Sequence, residues 1–154
     1  MKKKTAVVTF LLVLQVPLGE MISVDGNNMS VYKEGSGDKT LVFLSGGGTC
    51  SPILDFKSLY SFLSDEYQIV VVEKFGYGYS DVVDRDRDID SILDDTRKSL
   101  EMAGIKGPYV LCPHSMSGLD ILIRIIRFQE KKLCYDHTRR YIIDLFSQKN
   151  DSFF

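Results

Sequence analysis

The protein has 154 residues, the size of one ordinary domain, and 44% of them are hydrophobic, which is enough for a packed core. Its 19 basic and 21 acidic residues give a net charge of −2, so it lacks the basic excess of a nucleic-acid-binding protein. Three scattered cysteines and two histidines are too few for a disulfide scaffold or a cysteine- or histidine-rich metal site, and we expect neither a metal nor a cofactor.

The first 19 residues have the pattern of a targeting segment. Three lysines at positions 2–4 precede an uncharged, mainly apolar run over residues 5–18. A basic start before an apolar run of this length is typical of a secretory signal, and the run is short for a membrane span of about 20 residues. We expect export or membrane association through residues 5–18, with the domain outside the cytoplasm. The alternative is a buried first strand or helix in a cytoplasmic protein.

Residues 20–122 alternate strand and helix signals and form the predicted main domain. Alternating apolar and polar residues around Asp25 and Gly26 predict a β-hairpin. Continuous apolar runs predict three strands that are buried on both faces: 40–44, 68–73 and 109–112. Apolar residues near helical spacing predict helices between these strands, over 54–63 and 89–103. Crossover helices imply that the three strands are parallel, in a three-layer α/β/α arrangement.

Ligands of such a sheet bind at the carboxyl ends of its strands. Three loops leave those ends and are predicted to meet at one rim: 45–52, 74–81 and 113–118. In the last loop, Ser115 stands between a strand and an apolar run that can continue as a helix. A strand-to-helix turn with serine at its apex is a nucleophile elbow. The alternative is an ordinary serine that caps the helix.

Three segments, in this order, resemble the α/β-hydrolase family over about residues 21–122. The segment LVFLSGGG is similar to a strand followed by the family's oxyanion loop, with Ser45 where histidine often stands. The segment VVVEKFGYGYSD is similar to an Asp-x-x-Gly-x-Gly-x-Ser motif, with Glu73, Gly76, Gly78 and Ser80 at those positions. The segment VLCPHSMSG is similar to the Gly-x-Ser-x-Gly elbow, although Pro113 and Ser117 replace its two glycines.

The resemblance implies a partial α/β-hydrolase fold and a serine hydrolase that acts on an ester, amide or related acyl bond of a small molecule. Ser115 would be the nucleophile. The backbone N–H groups of Met116 and Gly47, with Gly48 as the alternative to Gly47, would donate to the oxyanion, because acyl transfer builds negative charge on the substrate oxygen. We expect no nucleic acid and no partner protein.

The family's acid and histidine follow later strands, for which residues 123–154 leave too little chain. His114 adjoins the serine, and we expect its side chain to point away and to pack beneath the loop. His137 is the remaining candidate base, in a position that does not match the family order. Asp136 and Asp144 are acids without a predicted role.

The tail, residues 123–154, is basic and aromatic and matches no family element. We therefore interpret the sequence as a truncated or frame-shifted hydrolase with impaired activity. The alternative is an inactive remnant or a binding module that uses the same rim. The predicted strand 109–112 would then be an apolar edge strand, which only the segment 139–146 is suited to cover. Cys50 and Cys112 could meet at the rim as a disulfide in an oxidising compartment.

Overall fold

The computed structural model describes residues 16–128, 133–136 and 140–143. Most of the predicted targeting run therefore lies outside the described residues, as does His137. None of the helices in these ranges has the length and apolar character required to cross a membrane.

Five strands form one mixed sheet in the order β1-β2-β4-β3-β5. Their bounds are Glu20–Val24 (β1), Asn27–Glu34 (β2), Thr40–Leu44 (β3), Gln68–Glu73 (β4) and Tyr109–Pro113 (β5). Strands β4, β3 and β5 are parallel, whereas β1 and β2 form an antiparallel hairpin. Asp25 and Gly26 both have positive φ angles at the hairpin turn, as a tight primed turn requires. The predicted hairpin and three parallel strands are confirmed.

Helices cover both faces of this sheet. Their bounds are Pro52–Asp55 (α1), Lys57–Tyr60 (α2), Ile89–Met102 (α3) and Met116–Phe128 (α4). The single helix predicted over 54–63 is instead two short helices that meet at Phe56, whose ring packs against Phe43 of β3. Helix α3 begins after Asp88, whose carboxylate accepts a hydrogen bond from the Ser91 amide at 2.7 Å.

Two hydrophobic clusters lie on opposite faces of the sheet. Val70 and Val72 of β4 point to the face that Leu100 of α3 and Ile121 of α4 cover. The alternate residues of β4 belong to the second cluster, with Tyr60 of α2. Because both faces of β4 are buried, its sequence is a continuous apolar run rather than an alternating one.

The described part of the tail forms a separate two-stranded antiparallel sheet, β6 (Leu133–Asp136) with β7 (Arg140–Ile143). Strand β5 is the edge of the five-stranded sheet, and β7 lies beside it, with Cα atoms within 8 Å, without joining its ladder. Part of the segment that the sequence suggests as a cover is therefore next to β5.

The packing of α3 on the sheet gives a stability prediction. Leu100 is 1% exposed in the first cluster, whereas Met102 in the same helix is 62% exposed. We expect Leu100→Ala to lower the free energy of unfolding by about 2–5 kcal/mol, because it removes buried methyl groups and leaves a cavity. Met102→Ala should change it by less than about 0.5 kcal/mol. Urea denaturation measures both values, and equal effects would contradict this packing.

Candidate active site

Ser115 lies in a sharp turn between β5 and α4. Its φ angle is +54°, in the left-handed region that residues with a side chain rarely adopt. The side chain is exposed. In the described part of the chain, the Ser115 hydroxyl has no hydrogen-bond partner. The turn therefore presents a free hydroxyl at the carboxyl end of the parallel strands.

The glycine-rich loop after β3 lies directly against this turn. A Cβ atom on Gly46 would lie 2.7 Å from Ser115 Cβ and 3.1 Å from Ser115 Oγ, so no side chain fits between them. A Cβ atom on Gly47 would lie 3.1 Å from Met116 Sδ. The structure thus brings Gly47 close to the side chain of Met116, the residue after Ser115, and these two residues are the predicted oxyanion donors. Met116 is the first residue of α4, where helix amides lack intrahelical partners.

Ser117 connects the turn to the end of β3. Its side chain is 1% exposed, and its hydroxyl donates to the carbonyl of Leu44 at 2.7 Å. The same oxygen accepts a hydrogen bond from the His114 amide at 2.9 Å. Leu44 immediately precedes the glycine-rich loop, so the Ser117 hydroxyl connects the turn at Ser115 to that loop. A glycine at position 117, as in the family motif, has no such group.

His114 does not pack beneath the loop, and that expectation is wrong. Its side chain is exposed, and its ring meets the edge of Phe56 with centroids 6.1 Å apart. The sequence did not indicate this contact between His114 and the ring of Phe56 at the rim. Among the described residues, neither imidazole nitrogen has a hydrogen-bond partner, so the structure does not orient His114 toward the Ser115 hydroxyl.

These residues surround an open cleft of about 670 Å³. The glycine-rich loop after β3, the turn at Ser115 and residues of α1 and α2 line this cleft. The lining residues are Ser45, Gly46, Gly47, Gly48, Thr49, Asp55, Phe56, Leu59, His114 and Ser115. A small molecule bound in the cleft would therefore contact the Ser115 hydroxyl.

Solved structures share the overall fold of this chain. A meta-cleavage product hydrolase from Pseudomonas fluorescens IP01 matches with a TM-score of 0.65 at 18% identity, over 74% of this chain and 42% of that one. An epoxide hydrolase from Bacillus megaterium matches with a TM-score of 0.60 at 23% identity, over 72% and 38%. A thioesterase domain from the curacin biosynthetic pathway matches with a TM-score of 0.62 at 17% identity, over 75% and 43%.

The protein has part of an α/β-hydrolase fold. No protein-family model matches its sequence. A curated relative, the uncharacterized protein YbdG of Bacillus subtilis (strain 168), is 51% identical over 104 residues. The match covers 68% of this chain and 32% of YbdG, so the chain spans about a third of that relative. The predicted resemblance to α/β-hydrolases is confirmed at the level of the fold.

Glu73 holds two loops of this α/β-hydrolase rim together. Its side chain is fully buried and accepts hydrogen bonds from the Ser51 hydroxyl and the Tyr79 amide, both at 3.0 Å. Gly78 has φ +53° and passes so close that a Cβ atom there would lie 2.1 Å from the carboxylate. The sequence motif included Glu73 and Gly78, but only the structure shows that the carboxylate joins the loops after β3 and β4.

Ser80, the last residue of the same motif, joins the hairpin to the parallel strands. Its hydroxyl donates to the Glu73 carbonyl at 2.5 Å and accepts a hydrogen bond from the Ser30 amide at 2.8 Å. Sequence reasoning matched Ser80 to the motif without this role. The rim loop after β4 is therefore fixed to both β2 and β4.

A buried ion pair next to the turn was not predicted from the sequence. Lys74, directly after β4, lies 3.4 Å from the carboxylate of Asp120 in α4, and both side chains are largely buried. Burial lowers the pKa of Lys74, and the nearby Asp120 carboxylate opposes that change. The charges were visible in the sequence, but their pairing depends on how α4 crosses the sheet.

The suggested disulfide at the rim is absent, because Cys50 and Cys112 are both free thiols. Cys112 lies in β5, where burial raises the pKa of its thiol to about 11. At neutral pH the Cys112 thiol is therefore protonated and a weak nucleophile.

The hydroxyl of Ser117 gives a direct test of the turn. We expect Ser117→Ala to lower the free energy of unfolding by about 1 kcal/mol, because it removes a buried hydrogen bond to Leu44. Leu44 retains the His114 amide as a donor, which limits the loss. Ser58→Ala, at an exposed serine of α2, is the control and should change stability by less than about 0.5 kcal/mol. Indistinguishable urea midpoints for the two variants would exclude a stabilising role for this hydroxyl.

Proposed function

We propose that Ser115 is the nucleophile of a serine hydrolase that acts on an ester, amide or related acyl bond of a small molecule. The observation that carries the proposal is the left-handed backbone of Ser115 between β5 and α4, with the glycine-rich loop packed against it. This geometry holds the hydroxyl clear of the sheet and beside an open cleft.

The proposed chemistry uses the Ser115 hydroxyl and the backbone N–H groups of two residues near it. Ser115 Oγ attacks the substrate carbonyl carbon, and the carbonyl electron pair moves to the oxygen. The N–H groups of Gly47 and Met116 then donate to that oxyanion, and each such donor is worth about 3–4 kcal/mol in comparable enzymes. The hydroxyl proton must pass to a base for the attack to be fast.

No base is positioned next to Ser115 among the described residues, because His114 faces Phe56 instead. His137, the other histidine, lies outside the described residues. Because a serine hydroxyl without a hydrogen-bonded base is a weak nucleophile, we propose that hydrolysis by this chain is impaired. A binding module that uses the same cleft is the second candidate, and the unpartnered Ser115 hydroxyl favours it.

Labelling of the purified full chain with a fluorophosphonate tests this proposal. We expect slow labelling at Ser115, because oxyanion donors without a base leave roughly 10³–10⁴-fold catalysis over water in triad variants. Ser115→Ala should abolish the labelling, and Ser58→Ala and His137→Ala should leave it unchanged. Added imidazole should accelerate it by acting as a substitute base. Mass spectrometry identifies the labelled residue.

Three outcomes would overturn parts of this proposal. Rapid stoichiometric labelling that requires both Ser115 and His137 would show that the tail supplies a base and that activity is not impaired. Labelling that persists in Ser115→Ala would exclude Ser115 as the nucleophile. No labelling of the folded chain, even with imidazole, would favour the binding module.

A further inference from the structure

The cleft beside Ser115 has an apolar wall whose position is fixed by the core. The ring of Phe56 packs against Phe43 of β3 with centroids 5.3 Å apart and against His114 with centroids 6.1 Å apart. Leu59 follows in α2 and is 50% exposed, so about half of its surface is available to a ligand. The glycine-rich loop and Ser115 line the same cleft as this wall.

The charge of the cleft is one-sided. Asp55, at the end of α1, is exposed and is the one carboxylate that lines the described cleft, whose other titratable side chain is His114; neither lysine nor arginine lines it. A ligand carboxylate placed along Phe56 and Leu59 would therefore approach a like charge with no lysine or arginine to compensate it. Repulsion between two like charges disfavours binding. Salt weakens this repulsion, because Asp55 is exposed to solvent.

We propose that this cleft selects substrates with an uncharged, apolar chain, which lies along Phe56 and Leu59, and that Asp55 disfavours chains that end in a carboxylate. The statement that the bound molecule is a substrate rests on the proposed function. The binding preference itself depends on the wall and on the charge, not on catalysis.

Binding to the full-length Ser115→Ala variant tests the preference without turnover. The probes are ethyl butanoate, ethyl hexanoate and monoethyl adipate, and NMR titration gives the dissociation constants. Each buried methylene is worth up to about fourfold in affinity, so ethyl hexanoate should bind about tenfold more tightly than ethyl butanoate. Monoethyl adipate has the same six-carbon acyl chain as ethyl hexanoate but ends in a carboxylate, and it should bind more weakly than ethyl hexanoate.

Two variants in the Ser115→Ala background assign these effects to residues. Leu59→Ser should remove most of the difference between ethyl butanoate and ethyl hexanoate. Leu54→Ser is the matched control, because Leu54 is 54% exposed but does not line the cleft, and it should leave the difference unchanged. Asp55→Asn should improve the binding of monoethyl adipate about two- to threefold at low salt and leave ethyl hexanoate unaffected.

The outcomes separate this inference from the proposed function. The inference would be overturned by equal affinities for the two neutral esters or by equal effects of Leu59→Ser and Leu54→Ser. It would also be overturned if Asp55→Asn left the affinity for monoethyl adipate unchanged. If Ser115 is labelled while chain length has no effect, the nucleophile assignment stands and the cleft assignment fails. If the esters bind as expected but Ser115 is never labelled, the cleft preference stands and the proposed hydrolase fails.

Discussion

The turn at Ser115 depends on two backbones that approach each other more closely than side chains would permit. Ser115 adopts a left-handed backbone, which costs a residue with a Cβ atom about 1–2 kcal/mol. Gly46 lies against it with no room for a Cβ atom of its own. The left-handed backbone at Ser115 and the missing side chain at Gly46 belong together, because a Cβ atom on Gly46 would collide with Ser115 and force the glycine-rich loop away from its hydroxyl.

Buried polar groups hold the surrounding loops in this arrangement. The hydroxyl of Ser117 fixes the turn to the end of β3, and the carboxylate of Glu73 fixes the loop after β3 to the loop after β4. The pair of Lys74 and Asp120 then connects β4 to α4. Each of these groups has a hydrogen-bond or ion-pair partner within the sheet or its rim, so the described residues support the turn, although none of them forms a hydrogen bond with the Ser115 hydroxyl.

The sequence predicted the sheet well because its strands are buried on both faces and their apolar runs are continuous, as in β4. It also predicted the turn, since a serine between a buried strand and an apolar helix is the pattern of a nucleophile elbow. The division of the first crossover helix at Phe56 was not predicted, and the contact of Phe56 with Phe43 joins residues that are not neighbours in the chain. The expected packing of His114 beneath the loop was wrong, because its exposed ring contacts Phe56. The links through Ser117 and Glu73 likewise join residues that are far apart in the chain.

The central claim, that Ser115 is held in a strained left-handed backbone, is tested most directly by the relative stabilities of Ser115→Gly and Ser115→Ala. Glycine tolerates a positive φ angle and alanine does not, so we predict that the glycine variant is about 1 kcal/mol more stable to urea. The same pair of substitutions at Ser58, in the helical backbone of α2, should give the opposite order, because glycine weakens a helix. A glycine variant at position 115 that is less stable than the alanine variant, as at position 58, would contradict the account.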